Sequence, residues 1–243
     1  MTDRIPLARQ LADLHEALTP AEQANLKLIL GLSAGRLIPD KHPGSEPGRE
    51  AVSEALEMLC PYDVADPRGV QYRGRPSFLT DELLAALLAE AGDVGRTAVP
   101  FDEHYLGCGG PVADRLATSS ELTDLVSGVV SHAKATGIAS YLFYRDAGQG
   151  IIPHIDTDIF SLNVLMMLAH DIPPEAEADD PSALHMHFAD GSEQRLQLTP
   201  GEVVIFLAGT QAHSRTPIRA GERVTILTFG FMPDGAPLEN YRR

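Results

Sequence analysis

The chain from Tyr144 to Asp156 reads YRDAGQGIIPHID and contains two side chains that bind metals, His154 and Asp156. Turn residues are followed by a short apolar run, which predicts a turn that leads into a strand. Residues two apart in a strand face the same side, so these two side chains can converge on one point. His213 follows a later predicted strand. Two histidines and one carboxylate on one face of an ion are the ligand set of mononuclear non-haem Fe(II) sites, so we expect a metal site here.

The sequence around this stretch changes character near residue 138. After it, short apolar runs alternate with turn residues, and eight of these runs are predicted strands: Ser140–Tyr144, Ile151–Asp156, Leu162–Leu168, Ala183–Phe188, Gln194–Leu198, Glu202–Leu207, His213–Pro217 and Arg223–Phe231. Eight closely spaced strands are typical of a β-sandwich or jelly roll. Residues 1–137 instead contain helix-capping residues, Thr19, Thr80 and Thr118. We expect one α+β domain, with a mainly helical region (1–137), a β core (138–233) and a tail (234–243).

Composition and charge limit the classes of partner. The formal net charge is −15, which argues against binding to nucleic acid or to an anionic membrane. This charge would suit a cationic substrate, although solubility is the plainer explanation. No apolar stretch approaches the ~20 residues of a membrane span, and the first residues show no secretory signal. We expect a cytoplasmic protein with two free thiols, Cys60 and Cys108, and a small-molecule substrate.

Two blocks of the sequence resemble one known family. Tyr144 to Asp156 is similar to the approach to the first two metal ligands in Fe(II)/2-oxoglutarate-dependent dioxygenases of the prolyl-hydroxylase-like type. Pro200 to Thr225, with His213 and Arg223 inside it, resembles their third-ligand and co-substrate region. The resemblance covers about residues 138–232 and implies a double-stranded β-helix (jelly roll) core with the N-terminal helices packed against it.

The resemblance also implies roles for single residues. His154, Asp156 and His213 would ligate Fe(II), leaving positions for 2-oxoglutarate and O2. Arg223 would bind the distal carboxylate of 2-oxoglutarate with its guanidinium fork, a geometry that lysine lacks. Thr225, two residues along the same strand, would add a hydroxyl donor.

Tyr144 resembles the tyrosine that donates to 2-oxoglutarate from an earlier strand. One extra residue separates it from His154, so Tyr141 and Asn163 remain alternatives. The family couples decarboxylation of 2-oxoglutarate to succinate and CO2 with hydroxylation of an unactivated C–H bond. Related halogenases have a small residue at the position of Asp156, so its carboxylate implies hydroxylation, desaturation or cyclisation rather than halogenation.

The substrate is less well defined by the sequence. A compact barrel suggests a small amino-acid-like or natural-product substrate, and a peptidyl hydroxylase is the nearest alternative. Arg73, Arg75, Arg215 and Arg219 could receive a substrate carboxylate, although ordinary solvated arginines are the simpler interpretation.

A second cluster, His185 and His187 with Glu193, faintly resembles a cupin metal motif. It leaves open a non-enzymatic cupin-like metal-binding protein, because cupins share the jelly-roll architecture. That alternative would leave His154, Asp156 and Arg223 unexplained. We therefore expect the cluster to be a solvated strand edge or part of the barrel lining.

Overall fold

The structure is a computed structural model, and it describes residues 6–19, 22–23, 26–27, 29–30, 54–55, 58–101, 103–156, 158–173, 181–188 and 192–234. Eleven strands and four helices can be bounded within these ranges. Among them, no helix has both the length and the apolar character that a membrane span requires.

The larger sheet has seven strands in the order β1-β9-β6-β11-β4-β3-β2, and all neighbours are antiparallel. Its strands are β1 (Val70–Gly74), β2 (Val99–Phe101), β3 (His104–Cys108), β4 (Ala133–Tyr144), β6 (Leu162–Asp171), β9 (Val203–Phe206) and β11 (Arg223–Pro233). The central strands are apolar on both faces, as in β9, where all four residues are buried. Such a sheet must be covered on both sides.

The smaller sheet covers one of these faces. It has four antiparallel strands in the order β5-β10-β7-β8: β5 (Ile151–His154), β7 (Leu184–His187), β8 (Glu193–Leu196) and β10 (His213–Arg215). Leu184, Met186 and Leu196 of the smaller sheet form one buried cluster with larger-sheet residues such as Met167 and Val224. The two sheets therefore enclose the core of a double-stranded β-helix.

Helices cover the other face of the larger sheet. They are α2 (Asp81–Gly95), α3 (Pro111–Ala117) and α4 (Ser120–Ser127), while α1 (Leu7–Glu16) packs in a separate small cluster. Two of these helices begin at a capping side chain. Thr80 accepts a hydrogen bond from the backbone of Leu83, and Ser119 accepts one from Leu122, each at 3.2 Å.

The predicted α+β fold with a double-stranded β-helix core is confirmed, and each of the eight predicted strands has a counterpart. Four details differ. The N-terminal region also contributes β1, β2 and β3 to the larger sheet, and β4 begins at Ala133, before the expected boundary at 138. Helix α4 is capped by Ser119 rather than Thr118, and it ends at Ser127 although apolar residues continue beyond it. Most of the helix predicted after Thr19 and the tail from 235 onward lie outside the described residues.

Candidate metal centre and cavity

Two neighbouring strands of the smaller sheet bring the predicted metal ligands together. His154 at the end of β5 pairs directly with His213 at the start of β10. Asp156 follows two residues after His154, and its backbone N–H donates to the carbonyl of Ala208 at 2.8 Å. One ligand atom from each of the three side chains lies within 4.8 Å of the others. The Asp156 Oδ1 atom is 3.4 Å from His154 Nε2 and 3.6 Å from His213 Nε2.

Hydrogen bonds determine which nitrogen of each imidazole is available to a metal. His154 Nδ1 lies 2.8 Å from the carbonyl oxygen of Ile152, and His213 Nδ1 lies 3.1 Å from that of Gln211. A carbonyl only accepts, so each Nδ1 carries the proton and each Nε2 presents a lone pair toward Asp156. Metal-binding histidines are held in this way by a partner on the second nitrogen.

The ionisation states also suit a divalent cation. Burial, more than any charge, lowers the pKa of His213 to about 4, so this imidazole is neutral at pH 7. Burial would raise the pKa of Asp156, but His213, His154 and Asn163 together hold it below its usual value. Asn163 donates from its amide to Asp156 Oδ2 at 2.8 Å, which leaves Oδ1 facing the histidines. The donor set therefore consists of two imidazoles and one carboxylate, which fits Fe(II).

The three side chains line a cavity of about 670 Å³ between the two sheets. This size falls in the range of ~300–1,000 Å³ in which proteins enclose drug-sized molecules. Tyr144, Asn163 and Arg215 also line the cavity. A metal held by the three ligands would thus lie beside a space large enough for two small organic molecules.

Arg215 is the buried cation of this cavity. It lies two residues after His213 on β10, and only 4% of its surface is exposed. Its Nη2 donates to the carbonyl of Ser182 at 3.3 Å, but its buried Nε–H has no partner among the described residues. Desolvation lowers the pKa of this guanidinium from its ordinary value. A buried cation with an unsatisfied donor is costly unless an anion joins it, so Arg215 is suited to bind a carboxylate.

Tyr144 lies beside this cation. The Arg215 Cζ atom is 5.3 Å from the centroid of the Tyr144 ring, and the phenol is 1% exposed. Tyr141, one of its alternatives, faces the helices instead and donates to Glu90 at 2.7 Å. Asn163, the other alternative, is at the cavity but is engaged with Asp156. Of the three, Tyr144 alone lines the cavity next to a guanidinium.

The structure does not place Arg223 or Thr225 at the cavity. Alternation along β11 points Val224 and Ile226 into the core between the sheets, so Arg223 and Thr225 face the opposite side. Arg223 is exposed at the start of the strand, and neither residue is part of the cavity lining. The structure therefore does not support the expected co-substrate role of Arg223 and Thr225, because side chains alternate along β11 and these two face away from the cavity. The spacing His213-x-Arg215 puts both side chains on one strand face. This spacing was the sequence signal that could have indicated Arg215 instead of Arg223.

The remaining candidates lie elsewhere. Arg73 pairs with Glu202 at 3.1 Å and Arg75 pairs with Asp81 at 2.5 Å, so both are ordinary surface arginines, and Arg219 is not part of the cavity lining. Glu193 binds His185 Nδ1 at 3.1 Å and His187 Nδ1 at 3.0 Å, outside the cavity. Within the described part of the chain, His154, Asp156 and His213 are the single group whose ligand atoms converge for a metal. Cys60 and Cys108 are free thiols.

Comparison of the chain with protein-family profiles and with curated proteins gives no match. Solved structures do match. A prolyl-4-hydroxylase from Pseudomonas putida is 20% identical, with a TM-score of 0.51 over 75% of this chain and 98% of that one. The α-ketoglutarate-dependent epimerase SnoN from nogalamycin biosynthesis is 17% identical, with a TM-score of 0.55 over 75% and 83%. HygX from Streptomyces hygroscopicus, solved with nickel, 2-oxoglutarate and hygromycin B, is 13% identical, with a TM-score of 0.54 over 69% and 84%. This chain therefore has the fold of the Fe(II)/2-oxoglutarate-dependent oxygenases.

Proposed function

We propose that the protein is an Fe(II)- and 2-oxoglutarate-dependent dioxygenase that oxidises a small molecule. The observation that carries the proposal is the convergence of His154, Asp156 and His213 in a cavity that also holds a buried, incompletely paired arginine. A metal site alone would be compatible with a binding protein. The arginine adds a place for a dicarboxylate co-substrate, and the fold is the one in which such enzymes are built.

Within this proposal, His154, Asp156 and His213 hold Fe(II), and Asn163 orients Asp156. When bound, Fe(II) and 2-oxoglutarate supply the activation of O2, with release of succinate and CO2. Arg215 binds the distal carboxylate of 2-oxoglutarate. The carboxylate accepts a hydrogen bond from the Arg215 Nε–H, which has no partner among the described residues. The Tyr144 hydroxyl, which has no hydrogen-bond partner in the described part of the chain, donates to the same carboxylate.

The apolar walls of the cavity exclude bulk water and orient the substrate. We propose hydroxylation of an unactivated C–H bond as the reaction, because Asp156 completes the ligand set and leaves no ligand position for a halide. A small-molecule substrate is supported by the size of the cavity and by the structures with this fold that hold hygromycin B or a nogalamycin compound. Small molecules of natural-product size fit this space better than a folded protein.

The test is anaerobic titration with Fe(II) and 2-oxoglutarate, followed by the visible metal-to-ligand charge-transfer band. Wild type is compared with His213→Ala, Arg215→Met and Arg223→Ala. We expect a band in wild type, none in His213→Ala, and a normal band in Arg223→Ala. The Arg215→Met variant should need at least about 30-fold more 2-oxoglutarate than wild type to give the same band, because the carboxylate loses its buried charge partner. A folded wild type that binds Fe(II) but gives no band on addition of 2-oxoglutarate would overturn the proposal.

A further inference from the structure

The cavity walls are apolar well beyond the metal ligands. The lining includes Phe101, Leu106, Ile152, Phe160, Leu165 and Phe206. Two of these side chains remain largely in solvent, Phe101 at 51% and Ile152 at 55% exposure. They belong to different strands, β2 and β5, so apolar surface continues from the interior to the mouth. Exposed apolar surface at a cavity mouth indicates a bound molecule with an apolar body.

The charges of the lining are few. Among the described residues that line the cavity, Arg215 is the one lysine or arginine, and Asp156 and Glu103 are the acids. Asp156 belongs to the metal and Arg215 to the co-substrate carboxylate in the proposed function. Their charges cancel, as do those of Fe(II) and the 2-oxoglutarate dianion. Among the described lining residues, Glu103 therefore remains as the uncompensated charge facing the substrate space.

Glu103 is placed to receive a cation. It is exposed, it directly precedes His104 at the start of β3, and it lines the cavity together with Phe101 and His104. It forms no ion pair or hydrogen bond with any other residue that the structure describes. The net charge of −15 adds a long-range attraction for cations and a repulsion of anions.

We propose that the primary substrate is an apolar-bodied molecule that bears a protonated amine, and that Glu103 binds this amine at the cavity mouth. The inference rests on the proposed function, since it requires Arg215 to be occupied by 2-oxoglutarate. A substrate carboxylate or phosphate finds no cation left in the described lining and meets Glu103 instead. A free amino acid, whose carboxylate needs its own partner, is therefore disfavoured relative to an amine-bearing natural product.

Three probes with one apolar body separate these possibilities: 1-adamantylamine, 1-adamantanol and 1-adamantanecarboxylate. Their affinities are measured by calorimetry, under anaerobic conditions with Fe(II), both without and with saturating 2-oxoglutarate. The proteins are wild type, Glu103→Gln and the matched control Glu16→Gln, which changes an exposed glutamate on α1 that is not part of the cavity lining. Circular dichroism checks that each variant is folded.

With 2-oxoglutarate present, we expect the amine to bind wild type about tenfold more tightly than the carboxylate. Glu103→Gln reduces this preference about two- to fivefold and leaves the alcohol unchanged, and Glu16→Gln behaves as wild type. Without 2-oxoglutarate, the carboxylate probe binds at Arg215, and 2-oxoglutarate displaces it.

The outcomes distinguish the two proposals. Equal binding of amine and carboxylate beside bound 2-oxoglutarate, or an unchanged preference in Glu103→Gln, would overturn the assignment of an amine substrate. Failure of all three probes to bind would overturn the apolar-bodied substrate. Failure of 2-oxoglutarate to bind or to displace the carboxylate probe would instead contradict the proposed function.

Discussion

The guanidinium of Arg215 lies over the ring of Tyr144, with 5.3 Å between its Cζ atom and the ring centroid. The two residues come from opposite sheets, Arg215 from β10 and Tyr144 from β4. Cation–π contact partly offsets the cost of a buried cation, but the Nε–H of Arg215 still has no partner among the described residues. The pair is thus suited to an added anion that accepts a hydrogen bond from this Nε–H.

Replacement of Arg215 should weaken binding of 2-oxoglutarate without lowering the stability of the fold. Arg215→Met removes a buried, incompletely satisfied charge, so we expect the free energy of unfolding to stay equal or to rise by about 1–4 kcal/mol without 2-oxoglutarate. Wild type with Fe(II) should gain thermal stability from added 2-oxoglutarate, and the variant should not. Thermal unfolding with and without the co-substrate tests both points. Stabilisation of Arg215→Met by 2-oxoglutarate equal to that of wild type would exclude Arg215 from co-substrate binding.

Two tyrosines three residues apart should behave differently. Tyr144→Phe removes a hydroxyl at the cavity, and we expect about tenfold weaker 2-oxoglutarate binding with little change in stability. Tyr141→Phe removes the donor to Glu90, whose carboxylate also accepts from the backbone of Val112 and Ala113 at the start of α3.

For Tyr141→Phe we therefore expect a loss of about 1–3 kcal/mol in the free energy of unfolding and normal 2-oxoglutarate affinity. Urea unfolding and the charge-transfer titration measure the two quantities in both variants. If Tyr141→Phe were the variant with weakened co-substrate binding, the assignment of Tyr144 would be wrong.

Asn163 should affect the metal rather than the co-substrate. Its amide donates to Asp156 Oδ2 at 2.8 Å and so directs Oδ1 toward the two imidazoles. Loss of such a supporting hydrogen bond lowers metal affinity about 10–100-fold, which we expect for Asn163→Ala in a competitive Fe(II) titration. Thr225→Ala, which changes a residue on the far side of β11, is the control and should bind Fe(II) as wild type does. Unchanged affinity in Asn163→Ala would remove Asn163 from this role.

A buried pair away from the metal should control acid stability. Glu222 is fully buried and binds His170 Nε2 at 2.6 Å, and it also accepts from the backbone of Ser182 and Arg219, each at 2.8 Å. Burial opposes ionisation of Glu222, but these donors hold its pKa below the ordinary value of 4.5. Burial lowers the pKa of His170 from 6.5.

Both shifts act in one direction. The unfolded chain takes up a proton at His170 below about pH 6.5 and at Glu222 below about pH 4.5, whereas the folded protein resists both. Stability should therefore be greatest above pH 6.5 and fall as the solution is acidified. Glu222→Gln should be about 2 kcal/mol less stable at pH 7.5, with a smaller loss on acidification. Urea unfolding at several pH values measures this, and parallel pH profiles for wild type and Glu222→Gln would contradict it.

Much of the fold followed from local patterns. Alternation and turn residues identified all eight strands after residue 138, and the spacing His154-x-Asp156 predicted that two candidate metal ligands lie close together, because both features depend on the period of a strand. Strands β1 to β3 were missed because they are short: β1 pairs with β9, a distant part of the chain, and β2 forms a hairpin with β3 that has only three residues in its first strand. Position along β11 suggested a residue near the candidate metal ligands, but which face of β11 is inward depends on tertiary packing. The sequence therefore predicted an inward position for Arg223, whereas Val224 and Ile226 are the residues of this part of β11 that face inward.

His213 and Arg215 occupy the two ends of one three-residue strand. Two residues of extended backbone span about 6.6 Å, and regular pairing with β7 holds β10 extended over this interval. In the proposed enzyme, the separation between the metal and the carboxylate-binding guanidinium is therefore a property of hydrogen-bonded backbone rather than of flexible side chains. In such an enzyme we would expect the strand to favour one length of oxo-acid, so that 2-oxoglutarate would bind more tightly than the shorter oxaloacetate or the longer 2-oxoadipate.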